Sequence, residues 1–527
     1  MCGIFGALTS YYDEKILYPY FSKIKHRGPD YSEFRKIKSD LFFGFHRLAI
    51  NGLTPSGNQP MYIDGCWLIA NAEVFNYQEL AKKHNIELTT GSDCEIIIHL
   101  YRKFGIKSAL QMMDAEFAFV LYDEIKNEIY AARDHLGIRG MYIGHDEKDG
   151  IYFASESKAL TFCIQIEQFP PASYWQLSQK DHFETFYKHQ YPLHDDKDQA
   201  ILQNINHLLT HAVRKRLMSE RPVGCLLSGG LDSSLVAAIA AKEYAKQGHQ
   251  LETFSIGMPG SPDLAAAKLV ADHIGSKHHH VELGELDFLE VLEETIYMLG
   301  SYDVTTIRAS VGHMLIARYV SKNSDVKVLF SGETADEFGS YLYFQNAPSP
   351  EDFQQEAIRL LKDIHFFDMK RGDRSISYAG LEARVPFADK AFMQYYMGID
   401  PKMRMFDEQK MEKYYIRKAF ESDNLLPNEV LWRRKNGFSD SVSQLDRSWS
   451  TVIKEYVDKK VSDDEFKSKS EQFKNGTPKT KEAYYFRKIF TQHYGTHQQL
   501  TPYQWLPKWC GDIVDPSARV LKMYAAD

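Results

Sequence analysis

Cys2 stands directly behind Met1 in Met1-Cys2-Gly3-Ile4-Phe5-Gly6. A small second residue permits removal of Met1, which leaves Cys2 with a free α-amine. An α-amine titrates at about 7.7–8.0, so near neutral pH it can take up the thiol proton. One residue would then hold both nucleophile and base. A lone cysteine is equally well read as a small buried residue at the chain start, so the weight falls on what accompanies it. A second stretch with chemical content is Leu226-Leu227-Ser228-Gly229-Gly230-Leu231-Asp232-Ser233-Ser234, between an apolar run and a helical pattern. Glycines let a backbone approach phosphate closely, and Ser hydroxyls with a helix N-terminus supply donors and positive potential. The stretch has no Gly-Lys-Ser/Thr ending, which excludes the loop that grips β- and γ-phosphates in kinases and GTPases.

Other features are chemically quiet. His278-His279-His280 sits in a strand-like run. Consecutive strand residues point to alternate faces, so the three cannot ligate one ion. The net charge is -8, with 44% hydrophobic and 25% charged residues. That balance is typical of a soluble globular protein and argues against non-specific binding to a nucleic-acid backbone. The six cysteines are scattered without a Cys-x-x-Cys pair, which points to a reducing, cytoplasmic setting rather than a zinc ribbon or disulfide framework. No leader-like segment and no apolar run of about 18–20 residues is present, so neither membrane nor nucleic acid is an expected partner.

Around Cys2 lie His26-Arg27-Gly28-Pro29-Asp30, His46-Arg47-Leu48-Ala49-Ile50-Asn51, Asn71-Ala72-Glu73, Ser92-Asp93-Cys94-Glu95 and Ala132-Arg133-Asp134. In order and spacing these resemble the class II glutamine amidotransferase domain. The resemblance implies that Cys2 attacks the glutamine amide. Asn71 and the Ala72 N–H would form the oxyanion hole. Arg47 would pair with the substrate α-carboxylate, Asp93 with its ammonium, and Leu48, Ala49, Ile50, Asn51 and Glu73 would complete the glutamine site. The Ser228–Ser234 loop resembles the pyrophosphate loop of enzymes that split ATP into AMP and pyrophosphate. Its companions are Phe254 to Asp263, Tyr302 to Arg308, Leu329 to Glu337, Leu381 to Phe387 and Trp432 to Asp440. Together the two halves resemble the glutamine-hydrolysing asparagine synthetase family, nearly to Asp515-Pro516-Ser517-Ala518-Arg519-Val520-Leu521. The likeness is thinnest near 340–370 and 441–480.

That resemblance implies the substrates glutamine, aspartate and ATP, with Mg²⁺ as cofactor. Leu226, Ser228, Gly229, Gly230, Asp232, Ser233, Ile256, Ser331 and Gly332 would bind ATP. Lys435 would stabilise phosphate charge, and Glu333 would take a proton from attacking ammonia. Asp232 and Asp336 would hold Mg²⁺, and Thr306 and Arg308 would bind aspartate. Ammonia from Cys2 would be channelled to a β-aspartyl-AMP intermediate. A homodimer stays open. The chain departs from the family where Ala72 and Thr334 replace Gly, where Ile50-Asn51-Gly52 follows Arg47, and where the loop after Glu337 is one residue short. A β-lactam-type synthetase is a rival reading, though it predicts loss of the N-terminal Cys. A catalytically weakened regulatory relative is another.

The elements that must position these residues follow from periodicity. The first ~160 residues, a size that suits one domain, carry short β-type runs: Leu41 to Phe45, Trp67 to Ala70, Phe117 to Tyr122 and Ile151 to Ala154. Helices are expected near 93–104 and 106–113, giving an α+β unit with a sheet-based core, and the amidotransferase resemblance implies an α+β N-terminal-nucleophile sheet sandwich in residues 2–187. A polar stretch, Lys188 to Gln199, reads as a linker. Beyond it, residues 200–527 alternate helices and strands: a helix near 199–218, then the run Val223 to Leu227, the helix Ser234–Tyr244, the strand Leu251–Ile256, a helix from Pro262 to Gly275 and the strand Val326–Phe330. This pattern predicts a doubly wound parallel sheet, with ligands beyond the carboxyl ends of its strands. The stretch 441–480 reads as charged, helical and exposed.

Overall fold

The structure, a computed structural model, describes the chain except residues 436, 438–440, 445–446, 475 and 518–527. Asn436, Phe438, Ser439 and Asp440 of the segment after Trp432, and Ala518-Arg519-Val520-Leu521, therefore lie outside the described residues. Two compact units form. The first comprises Met1–His189, Met218–Pro222 and Ile376–Glu382, and the second Gln190–Leu217, Val223–Ser375 and Ala383–Asp527. Beside the expected domains 2–187 and 200–527, two short later segments, Met218–Pro222 and Ile376–Glu382, group with the first unit. Among the described residues no helix is long and apolar enough to cross a membrane.

Two six-stranded antiparallel sheets build the first unit. One contains β1 (Gly3–Leu8), β2 (Tyr31–Lys38), β3 (Leu41–Arg47), β8 (Tyr142–His145), β9 (Ile151–Ala154) and β10 (Gln165–Gln168), in the order β10-β8-β9-β1-β3-β2. The other contains β4 (Met61–Ile63), β5 (Cys66–Val74), β6 (Ala115–Asp123), β7 (Glu128–Arg133), β11 (Ser173–Gln176) and β12 (Phe183–Thr185), in the order β12-β11-β7-β6-β5-β4. Strand alternation explains the layering. Along β6, Ala118, Val120 and Tyr122 join a core with Ile4, Phe43, Phe45 and Phe153 of the other sheet. The intervening Phe117, Phe119 and Leu121 join a second core with Ile96, Ile97 and Leu100 of the helix Glu95–Phe104. On the far side, Phe21 of the helix Glu14–Ser22 packs against Phe5 and Phe34. Strands buried on both faces account for runs too apolar to alternate.

The second unit is a five-stranded sheet of order β15-β14-β13-β16-β17, from β13 (Val223–Leu226), β14 (Glu252–Gly257), β15 (Lys277–Glu282), β16 (Val328–Phe330) and β17 (Glu382–Arg384). The pairs β13–β14, β13–β16 and β14–β15 are parallel. The helix after β13 spans Leu231–Ala245, starting three residues before the expected Ser234, because Gly230 adopts the extended N-cap conformation and Leu231 is buried. The next helix, Pro262–Ile274, has Ser261 as N-cap, Pro262 in its first turn and Gly275 in the left-handed conformation at its end. Within β15, His278 meets Thr253 and Ser255, whereas His279 contacts Glu252 and stacks on Phe254. The region expected to be an exposed charged helix is helical over Trp449–Lys460 and Asp463–Lys469, but Trp449, Val452, Ile453 and Val457 are buried. One apolar stripe was enough to dock the first of these helices.

Candidate active sites

In the first unit Cys2 lies just ahead of β1, where the strand delivers it to Asn71 of β5. The Cys2 backbone N–H donates to Asn71 Oδ1 at 2.9 Å. That bond orients the amide so that its Nδ2 is buried with no partner. A buried unpaired donor beside a nucleophile is what an oxyanion hole requires. The Ala72 N–H lies on the adjoining peptide, with Ala72 opposite Phe117 in the β5–β6 ladder. Arg27 Nε donates to the Cys2 carbonyl at 2.9 Å while its Nη1 donates to Glu156 Oε1 at 2.8 Å, so Arg27 fixes the backbone of Cys2. Burial pushes the Cys2 thiol above its ordinary range. The thiol is therefore held protonated and needs a base. With Met1 in place the Cys2 nitrogen is an amide and cannot serve.

The loop after β3 passes the thiol, with Leu48 O 3.6 Å from Cys2 Sγ. Leu48, Ala49 and Ile50 are buried, and Asn51 Nδ2 donates to Glu73 Oε2 at 3.0 Å. Asp93 is buried, and its Oδ2 accepts from the Val74 N–H at 2.7 Å. Arg47 is bonded to the loop that follows it. Its Nη1 donates to Thr54 O at 2.9 Å and Asn58 Oδ1 at 2.7 Å, and its Nη2 donates to Asn51 O at 3.3 Å and to Gly52 O. These bonds tie the guanidinium to the loop 51–58, whose backbone Arg47 organises.

In the second unit the carboxyl end of β13 leads into Ser228-Gly229-Gly230. Gly229 has φ +72°, and a Cβ there would lie 2.5 Å from Ala267 N, so only glycine fits. Ser228 N donates to Ser233 Oγ at 3.1 Å, and the two hydroxyls are 2.9 Å apart. Leu226, Ser228, Gly230, Asp232, Ser233, Ile256, Ser331, Gly332, Glu333, Asp336 and Lys435 all line one cavity. Gly229 is tied behind it, its carbonyl accepting from Arg433 Nη1 at 3.1 Å. A Cβ on Gly332 would stand 2.7 Å from Ser233 N, so glycine there lets the β16 loop close on the helix start.

Charge in the cavity is paired. Lys413 Nζ donates to Asp232 Oδ2 and, at 2.6 Å, to Asp336 Oδ1, and Lys435 Nζ lies 2.5 Å from Asp336 Oδ1. Burial alone would raise the Asp336 carboxyl, but Lys413 and Lys435 outweigh it and hold it far below the ordinary range. Asp232 Oδ1 is buried without a partner. Two carboxylates converging on one cation, with an oxygen to spare, form a donor set that fits Mg²⁺, which takes one or two carboxylates together with phosphate oxygens. Glu333 pairs with Arg371, and Arg371 Nη1 lies 3.1 Å from Asp368 Oδ1. Burial, with Asp368 adding to it, pushes Glu333 up to about 7 against the pull of Arg371. A carboxyl that changes charge near neutral pH is suited to general-base work. The Tyr341 hydroxyl lies 2.8 Å from Glu337 Oε1 and 3.1 Å from Asp368 Oδ2.

The two residues expected to bind aspartate, Thr306 and Arg308, meet protein partners in this structure. Arg308 donates from Nε to Glu482 Oε1 at 2.8 Å and from Nη1 to Asp515 Oδ1 at 2.8 Å, and it is absent from the cavity lining. Thr306 Oγ1 donates to Asp303 Oδ2 at 2.7 Å, inside the N-cap of the helix Val304–Asn323. Thr305 lines the cavity in its place, with a buried hydroxyl that has no partner. Arg371 lines the cavity beside Glu333, as do Arg417, Arg433 and Arg434. Motif reading missed Lys413, Tyr341, Asp368 and Arg371. Asp368 and Arg371 share one helix face at i,i+3 spacing in the helix Asp368–Ser377, a signal too common to single them out. Lys413 carries none, because its role rests on a left-handed φ of +57° that aims it inward.

A sheet-sandwich amidotransferase unit with an N-terminal nucleophile, followed by a parallel-sheet unit of the ATP-pyrophosphatase class, is what fold and sites define. A glutamine amidotransferase domain model matches residues 1–216, and the asparagine synthase model matches residues 204–351 and 343–511. The chain is 40% identical to the glutamine-hydrolysing asparagine synthetase of Bos taurus, over 100% of this chain and 99% of that one. The Homo sapiens protein of the same name is also 40% identical, over 99% of each chain, and that of Gallus gallus is 39% identical, again over 99% of each. The chain belongs to the glutamine-hydrolysing asparagine synthetase family.

Proposed function

We propose that this chain makes asparagine and glutamate from aspartate, glutamine, ATP and water, releasing AMP and pyrophosphate. The observation that carries the reading is the cavity at the end of β13 and β16. It gathers the Ser228–Ser233 loop, the lysine-neutralised Asp336 and the near-neutral Glu333 around one space. In the first unit, Cys2 Sγ attacks the glutamine amide carbon while its α-amine, freed of Met1, takes the thiol proton. Asn71 Nδ2 and the Ala72 N–H bear the oxyanion. Ammonia leaves, and water hydrolyses the thioester to glutamate. In the second unit a carboxylate oxygen of aspartate attacks the α-phosphorus of ATP and pyrophosphate leaves. Ammonia channelled from Cys2 then attacks the acyl carbon, Glu333 takes its proton and AMP departs. Lys413 and Lys435 balance phosphate charge. Asp232 and Asp336 would hold Mg²⁺, which supplies charge neutralisation to the phosphates. Arg371 and Thr305 support recognition of the aspartate. The cysteines, all six of them free, support a cytoplasmic setting.

The test is product identification with ATP, Mg²⁺, aspartate and glutamine. AMP with asparagine is expected, and stoichiometric ADP with orthophosphate would overturn the reading. Cys2→Ala should abolish glutamine-dependent synthesis while synthesis from ammonium salts persists. Product formed from glutamine by that variant would remove Cys2 from its role.

A further inference from the structure

The glutamine-site loop after β3 is held by residues that lie far downstream in the chain. Glu220 Oε1 accepts from the Gly52 N–H at 2.6 Å, and the Glu220 N–H donates to Ile50 O at 3.1 Å. Its neighbour Arg221 donates from Nε to Ala49 O at 3.1 Å. Arg221 Nη2 also lies 3.6 Å from Asp30 Oδ2, and the same Asp30 oxygen accepts from the Ala49 N–H at 2.8 Å. Ser219 stiffens this short strap by accepting from the Arg221 N–H at 3.0 Å and donating to Arg221 O at 2.8 Å. Three of the four loop residues 49–52, namely Ala49, Ile50 and Gly52, thus owe backbone partners to Glu220 and Arg221.

The Gly52 contact reaches further. The peptide N–H of Gly52 goes to Glu220, while its carbonyl accepts from Arg47 Nη2. Gly52 has φ +60°, and a Cβ there would meet Gly91 C at 2.7 Å, so this turn is tightly defined. A carboxylate on one side of the glycine and a guanidinium on the other place Glu220 two hydrogen bonds from Arg47. Glu220 itself is exposed, so its side chain is not needed to fill a core.

We propose that Glu220 and Arg221 are positioning residues for glutamine binding. They set the backbone of residues 49–52 and, through Gly52, the seat of Arg47, without touching the nucleophile. This rests on the reading of the Cys2 site as the glutaminase. The prediction separates binding from chemistry. Glu220→Ala in the full chain should raise the glutamine KM about tenfold, the scale of one charge-assisted hydrogen bond. The kcat should change less than about threefold, because Cys2 and Asn71 are held by other bonds. Glu220→Gln keeps an acceptor oxygen of the same reach and should restore most of the parent KM. Arg221→Ala should raise the glutamine KM by a smaller factor. Ammonia-dependent synthesis, measured on the same preparations, serves as the reference for folding. A glutamine KM within twofold of the parent in both alanine variants overturns the proposal. So does a parallel fall in glutamine-dependent and ammonia-dependent kcat, which marks a general loss of structure. A parent enzyme with no glutaminase activity would instead remove the reading of the site, and the proposal with it.

Discussion

Thr334 and Ala72 stand where the related family usually carries glycine, and the structure assigns opposite signs to restoring it. Thr334 has φ +83°, is 1% exposed, and its hydroxyl is buried without a partner. A β-branched residue in that region is a genuine backbone outlier, with strain of about 1–3 kcal/mol. An unsatisfied buried hydroxyl costs about as much again. Against these, Thr334→Gly loses about 1.5 kcal/mol of carbon burial and about 1 kcal/mol to the freer unfolded chain. The net expectation is stabilisation of the second unit by about 1 kcal/mol. Ala72 sits in β5, paired with Phe117, outside the positive-φ region. Ala72→Gly relieves nothing there. It gives up a buried methyl and adds unfolded-state freedom, a loss of about 1–2 kcal/mol from the first unit. Its donor N–H is unchanged, so the glutaminase kcat should not rise. The assay is urea titration with hydrogen-exchange labelling, read on peptides from each unit separately, since a two-unit chain has no single unfolding free energy. If both variants shift in the same direction, backbone conformation is not what distinguishes the two positions, and the argument fails.

Glu333, raised to about 7, is ionised only above that pH. Synthesis assayed at a fixed concentration of free ammonia should therefore climb through pH 7 and level off, whereas Glu333→Gln should be slow and show no such step. Stability runs the other way: between about 4.5 and 7 the unfolded carboxyl has lost its proton and the folded one has kept it, so raising pH across that window lowers stability. Lys413→Met leaves Asp232 facing Asp336. With Lys435 still present and both carboxylates partly exposed, the loss should be about 2–3 kcal/mol, under the full cost of breaking a buried pair. Added Mg²⁺ should recover more of the denaturation midpoint in this variant than in the parent, and no recovery would remove Asp232 and Asp336 as metal residues. Arg308→Lys gives up the bidentate clasp on Glu482 and should lower stability without a selective rise in the aspartate KM, whereas Arg371→Lys should raise that KM severalfold. A selective aspartate effect at Arg308 would place its guanidinium in the aspartate site.

Much of this protein was legible before any fold was known, for local reasons. Cys2, the Ser228–Ser234 loop and the strands at Phe117 to Tyr122 and Ile151 to Ala154 declare themselves through chain position, glycine spacing and apolar runs, all of which act within a few residues. The helix Pro262–Ile274 announced both its ends, because Ser261, Pro262 and Gly275 satisfy or terminate a helix on their own. What the sequence left undecided depends on which distant groups meet. Nothing near Arg308 tells whether its guanidinium meets a substrate or Glu482, 174 positions later, since a charge looks the same with either partner. Lys413 between Asp232 and Asp336 joins segments 181 and 77 residues apart, and Glu220 reaches Gly52 over 168. Pairings of this kind are set when sheets and helices close around a core. Only the folded chain decides whether a polar group finds a protein partner, as Arg47 does, or is left buried without one, as Asn71 Nδ2 is.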